Sequence, residues 1–287
     1  MTFQPETTFP LKSSNIALQP SDQELYQFTF QWVSILMVIW FTLFTTSKYY
    51  IKLPKSWNLV KPFDQLMVRH RIVSCFHGIA ANIFGLIYYA KYIDTTCGKS
   101  NTYFETVMLA NTFTFLASDL LFMLINGFLD IGNLIHHMLG LTSYSYSLYL
   151  QRDALYICLN LLPAEISNIQ MNTREIFRKI GMRYTKTYFH NEFQYLIIYL
   201  LARVFWIPSI LYPIFTCDSS NWIIRTLYIF HVVQSWYYCS QMVTLLKQRI
   251  NEVLKLNKLN MKMSWFEGLS ETELEKVGIK HYSNFKA

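Results

Sequence analysis

The sequence predicts an all-α protein that crosses a membrane about seven times, and three observations lead to this fold class. Of its 287 residues, 52% are hydrophobic and only 15% are charged, whereas soluble domains usually carry about 25% charged residues. The apolar residues form long blocks rather than the stripe of an amphipathic helix or the alternation of a β-barrel strand. Lys and Arg concentrate between particular blocks, as they do on the cytoplasmic side of membrane proteins.

The chain divides by composition into four parts. Residues 1–24 form a polar tail without the basic start and apolar run of a secretory signal. Residues 25–64 hold an additional transmembrane helix and a basic loop, residues 65–250 a six-helix membrane domain, and residues 251–287 a polar C-terminal tail. The predicted spans, one to seven, are residues 25–47, 68–92, 104–126, 132–150, 153–171, 190–216 and 222–246.

The distribution of positive charge predicts the orientation. The loops after spans one and five and the C-terminal tail carry most of the Lys and Arg, and with seven spans all three lie on one side. The positive-inside rule then places the N-terminus outside and the C-terminus inside. The net charge of +7 arises from these segments, so it does not indicate nucleic acid as a partner. The organelle stays open between the endoplasmic reticulum or Golgi and the mitochondrial inner membrane.

Ionisable residues occur inside four predicted spans, where an acidic group costs about 2.5–3.5 kcal/mol to insert. A rise of about 1.5 Å per residue, counted from the inner end of each span, places them at similar depths of roughly 7–13 Å. A common level predicts one polar cavity or hydrogen-bonded cluster in the inner half of the bundle. The residues are His77, Asp119, His136, His137 and Glu165.

Other polar residues at helical spacing mark faces that we expect to point into the bundle. On span five, Glu165, Asn168 and Asn172 lie at i, i+3 and i+7, and we pair Glu165 with Arg203, midway along span six. The alternative is that such groups only hold helices together, as Ser, Thr, Asn, Gln and His commonly do in membranes. Two further stripes are Asn111, Thr114 and Ser118 on span three, and His231, Gln234, Tyr238 and Gln241 on span seven.

Four short motifs on consecutive spans resemble the TLC-domain family, which includes the ceramide synthases. The resemblance covers about residues 65–250, and the order of the motifs is more specific than any one of them. They are Arg71 to His77 (RIVSCFH), which resembles the Arg-x-x-Ser-x-x-His that opens the domain, Ser118 to Leu121 (SDLL), Leu134 to Met138 (LIHHM), and Ala164 to Asn168 (AEISN), which resembles the smaller, non-synthase members.

The resemblance implies a compact helical bundle with a lipid-sized pocket, and it makes membrane lipids the expected partners. In such a pocket the polar residues meet a lipid headgroup or an acyl carbonyl, and Arg71 holds a phosphate at the inner interface. The implied lipid-binding residues are Arg71, His77, Asp119, His136, His137, Glu165 and Asn168.

Three functions stay open at this point. The first is lipid binding, handling or sensing. The second is a structural accessory subunit of a larger membrane assembly, for example in the mitochondrial inner membrane, suggested by the aromatic-rich first span outside the motif region. The third is an acyl-CoA-dependent acyltransferase of the ceramide-synthase type, with His136, His137 and Glu165 as catalytic candidates. The downstream aspartate pair of the synthases is absent, since residues 162–167 read LPAEIS, and this argues against catalysis.

The sequence predicts neither a metal site nor a cofactor. Adjacent residues on a helix point about 100° apart, so His136 and His137 rarely bind one ion, and no spaced ligand motif is present. Cys97 and Cys217 are the cysteines that fall in connections, both on the predicted outer side. A disulfide between them requires an oxidising compartment there, and we expect two free thiols.

Overall fold

The computed structural model describes residues 22–57, 61–94 and 96–276, so residues 1–21 of the predicted N-terminal tail and residues 277–287 of the predicted C-terminal tail lie outside the described residues. Within those ranges the chain is helical, and the one β-type pairing is an isolated bridge. The helices are α1 (Asp22–Tyr50), α2 (Pro62–Ile87), α3 (Tyr103–Ile125), α4 (Ile131–Leu150), α5 (Ala154–Glu165), α6 (Asn168–Lys179), α7 (Lys186–Leu200), α8 (Ile207–Ser209), α9 (Leu211–Thr216), α10 (Trp222–Lys258) and α11 (Glu271–Lys276), with a 3₁₀ turn at Lys55–Trp57 and π-helical turns at Tyr88–Tyr92 and Leu201–Trp206.

Four helical stretches in the described residues are long and apolar enough to cross a membrane. They are Gln23–Tyr50, Pro62–Tyr92, Tyr103–Ile125 and Lys186–Thr216, which correspond to predicted spans one, two, three and six. The other three predicted spans correspond to α4, to α5 with α6, and to α10, which begins as predicted but continues to Lys258. The predicted all-α membrane bundle is confirmed.

Predicted span five is not one continuous helix, because α5 ends at Glu165 and α6 begins three residues later. Pro163 lies in the last turn of α5, and proline has no N–H to donate to the carbonyl four residues earlier. The hydroxyl of Tyr89 donates to that carbonyl, on Leu159, at 2.7 Å. The broken helix still follows α2 along most of its length, through contacts of Leu162 with Gly85, Ile169 with Gly78, and Lys179 with Asp64.

The first span packs into the bundle against α3. Trp40 is buried, and its indole Nε1 donates to the Oδ1 atom of Asn111 at 3.2 Å. Ser118, two turns further along the same face of α3, donates to the sulfur of Met37 at 3.4 Å. The polar stripe predicted on span three therefore faces α1 and joins two helices.

The two ends of the bundle collect different loops. At one end, Lys179 of α6 pairs with Asp64 of α2 at 2.8 Å, which brings the two basic connections together as predicted. At the other end, the hydroxyl of Tyr26 in α1 donates to the carbonyl of Tyr149 in α4 at 2.7 Å. The N-terminal end of α1 is therefore opposite to the end that carries the basic loops.

A disulfide joins Cys97 to Cys217, so the expectation of two free thiols was wrong. Cys97 follows the π-helical turn that ends span two, and Cys217 directly follows α9. The fold brings their Cα atoms to 5.6 Å although 120 residues separate them, and disulfides usually need about 4.4–6.8 Å. The link connects the ends of spans two and six that lie opposite to the basic loops.

Candidate functional site

Three of the buried ionisable residues form one hydrogen-bonded group, which we call the His–Asp–His triad. Asp119 of α3 lies between His70 of α2 and His137 of α4. The Nε2 atom of His137 is 2.8 Å from Oδ2 of Asp119, and Nε2 of His70 contacts Oδ1. All three side chains are buried. The triad therefore joins three helices at one level, as the depth count predicted for two of its members.

The hydrogen bonds of His137 show how the triad holds its charge. Its Nδ1 atom is 2.8 Å from the carbonyl oxygen of Asn133, and its Nε2 atom faces Asp119, so both ring nitrogens face acceptors. A neutral imidazole has only one N–H. The triad consequently carries an additional proton, either on His137 or on the carboxyl of Asp119. That proton offsets the charge that makes a lone aspartate costly inside a membrane.

A second group lies beside the triad and involves Glu165 at the end of α5. Asn168 donates to its Oε2 atom at 2.6 Å, and Nδ1 of His77 is 3.6 Å from the same oxygen. The imidazole of His77 stacks on Phe115 with 3.7 Å between ring centroids, and its edge meets Trp40. His77 is thus held by aromatic packing, and its charge interaction with Glu165 is longer than a hydrogen bond.

A cavity lies between α4, α5, the π-helical turn at Leu201–Trp206 and α10. It offers about 60 Å³ to the centres of water-sized molecules, and one buried water needs only about 10–15 Å³ by that measure. Its walls are largely apolar, with Leu139, Ile157 and Leu227 among them. The polar lining includes His136, Ser143, Glu165, Arg203, Tyr228 and His231.

Arg203 is the cation of this cavity and is 5% exposed. Its Nη1 atom donates to Nε2 of His231 at 3.0 Å and to Ser235 at 3.3 Å, and Nη2 donates to the carbonyl oxygen of Ala164 at 2.7 Å. Arg203 interacts electrostatically with Glu165, the predicted partner, but the two form no salt bridge within 4.0 Å. Its direct bond is to the backbone carbonyl of the preceding residue, which faces the π-helical turn.

The adjacent residues His136 and His137 point into two different parts of the bundle. The rings of His136 and His137 are inclined by 88° with 5.8 Å between centroids. His137 enters the triad, whereas His136 lines the cavity. The predicted single pocket is therefore divided, since His77, Asp119 and His137 lie in the packed interior and only His136 and Glu165 of the predicted set line the cavity.

Arg71 lies apart from the cavity, and one triad member was missed from the sequence. Arg71 is half-buried on α2 and donates to Oδ1 of Asn172 at 3.3 Å.

The missed residue is His70, which contacts Asp119. Its signal was present, since it precedes His77 by seven residues and so occupies the same face of α2.

The fold and these buried polar groups define a multi-pass α-helical membrane protein with ionisable side chains inside the bundle. The family model for the TLC domain matches residues 68–246, which is more than half of the chain. The chain belongs to the TLC-domain family, as the four motifs predicted. The matched region begins within α2 and ends within α10, so α1 lies outside it. A comparison with curated proteins finds no match.

Proposed function

We propose that the protein binds a membrane lipid, with the polar end of the lipid in the cavity between α4, α5 and α10. The observation that carries the proposal is the combination of apolar walls with Arg203, Glu165 and His136 in one space between membrane-embedded helices. Ligand sites typically combine apolar walls with a few converging polar groups.

The position of the cavity favours a ligand that enters from the bilayer. His136 and His231 are half-buried, so the cavity approaches the outside of the bundle between α4 and α10. Both helices also carry exposed apolar side chains, for example Met138 and Phe230, which suit contact with acyl chains. A lipid can place its head in the cavity while its chain lies against this surface.

Catalysis has less support than binding. An acyl transfer needs a base and a group that stabilises the oxyanion. Both nitrogens of His137 are engaged, by Asp119 and by the backbone of Asn133, which leaves only His136 and Glu165 of the catalytic candidates at the cavity.

The accessory-subunit hypothesis rests on the aromatic residues of the first span. Trp40, one of these residues, packs inside the bundle, so its presence in that span needs no partner protein.

Blocking the cavity tests the proposal. Ser143 lines the cavity, whereas its neighbour Thr142 on α4 is exposed and lies outside the lining. We expect the wild-type protein, purified in a mild detergent, to retain one lipid in native mass spectra. Ser143→Phe should lose it, and the control Thr142→Phe should retain it, with both variants folded by circular dichroism. A wild-type protein without any retained lipid, or equal retention by the two variants, contradicts the proposal.

A further inference from the structure

The charge of Arg203 has no contacting anion in the described part of the chain. Its three hydrogen-bond partners are a backbone carbonyl, the hydroxyl of Ser235 and the ring of His231. His231 accepts this bond through Nε2, which makes the ring neutral. No described carboxylate oxygen lies within 4.0 Å of the guanidinium. A cation inside a membrane normally pairs with another group.

Glu165 lines the same cavity, but its carboxylate interacts directly with donors other than Arg203. Its Oε2 atom accepts from Asn168 at 2.6 Å and faces His77 at 3.6 Å. These donors lie on α6 and α2, whereas Arg203 lies on the π-helical turn. Glu165, the one acid on the cavity wall, therefore forms its hydrogen bond with Asn168 and interacts with Arg203 only through longer-range electrostatics.

The hydrogen-bonding capacity of Arg203 is also incompletely used. A guanidinium carries five N–H donors, and three bonds are formed, while Nε is buried without a partner. The planar fork of arginine matches two oxygens of a carboxylate or a phosphate. The two remaining donors, and the lack of a described carboxylate in direct contact with the guanidinium, indicate the same kind of ligand.

We propose that Arg203 recognises an anionic oxygen group at the head of the bound lipid, either a carboxylate or a phosphate monoester. This inference rests on the proposed lipid-binding function and names the class of ligand. The space of about 60 Å³ suits a small head such as a carboxylate or a phosphate monoester. The chain of the lipid would lie along apolar wall residues such as Leu139 and Leu227.

Four lipids with the same oleoyl-type chain test the inference on the full-length protein. Oleate is compared with oleyl alcohol, and 1-oleoyl lysophosphatidate with 1-oleoylglycerol, by native mass spectrometry of delipidated protein. The wild type should retain one anionic lipid about tenfold better than its uncharged counterpart, the ratio expected for one hydrogen bond to a charged group. Preference for oleate assigns a carboxylate, and preference for lysophosphatidate assigns a phosphate.

Two variants of Arg203 and a control complete the experiment. Arg203→Gln should abolish the preference while uncharged lipids still bind, and the exposed control Arg152→Gln should keep it. Arg203→Lys retains the charge without the fork and should keep part of the preference. If Arg203→Gln does not fold, the wild type and Arg203→Lys decide the matter.

The outcomes separate the two proposals. Equal retention of charged and uncharged lipids by the wild type, or an undiminished preference in Arg203→Gln, overturns the inference and leaves lipid binding intact. Failure of the wild type to retain any of the four lipids overturns both the inference and the proposed function.

Discussion

The His–Asp–His triad and the cavity use the same kinds of residue in opposite ways. In the triad, Asp119 has a histidine on each side, and both carboxylate oxygens and both ring nitrogens of His137 have partners, whereas Nδ1 of His70 has none among the described residues. At the cavity, Nε of Arg203 has no acceptor in the described part of the chain, and His136 lines the open space beside its contact with Gln234. The difference teaches that an ionisable residue inside a membrane stabilises the fold when its polar atoms bond to other side chains. It is available to a ligand when some of its donors have no acceptor in the protein.

The largest expected effect comes from removing the centre of the triad. Asp119→Ala leaves His70 and His137 facing each other without an acceptor, and breaking a buried charge pair costs about 3–5 kcal/mol. The free energy of unfolding, measured by SDS titration in mixed micelles, should fall by that amount. The control Asp218→Asn replaces an exposed turn residue and should change it by less than about 0.5 kcal/mol. Equal stability of the two variants would show that the triad is not structural.

A comparison of two histidines sharpens the contrast. His70→Ala removes a hydrogen bond to a charged group and should lower the unfolding free energy by about 1.5–3 kcal/mol. His136→Ala, which opens into the cavity, should cost under about 1 kcal/mol yet lower lipid retention in native mass spectra. The reverse pattern, with His136 the more destabilising residue, would remove the distinction between the triad and the cavity.

The smallest effect concerns the broken helix that forms one cavity wall. Tyr89→Phe removes the hydroxyl that donates to the carbonyl of Leu159 and accepts from Nε1 of Trp206 at 3.2 Å, so both groups lose their side-chain partner. The cost should be about 1 kcal/mol in the same unfolding assay. Tyr149→Phe removes an exposed hydroxyl and serves as the matched control with no measurable change. A neutral Tyr89→Phe would show that the break after Pro163 needs no such support.

Much of the architecture was predictable from local features of the chain. Blocks of apolar residues determined the all-α membrane bundle, and the spacing of short motifs identified the TLC-domain family. The depth count brought Asp119 together with His137, and His77 near Glu165, because rise along a helix depends on residue number alone. These properties belong to single helices, and a sequence specifies them directly.

Only the tertiary structure decided which of these groups meet. The sequence determined that His136 and His137 point apart, but the packing of α4 against α3 and α10 decided which ring meets Asp119 and which lines the cavity. In the same way, the fold brought Cys97 to Cys217 and Arg203 to the backbone carbonyl that precedes Glu165. Helical periodicity gives the faces of each helix relative to its own axis. The partner of each face depends on how separate helices rotate and pack, and that information lies in contacts between residues distant along the chain.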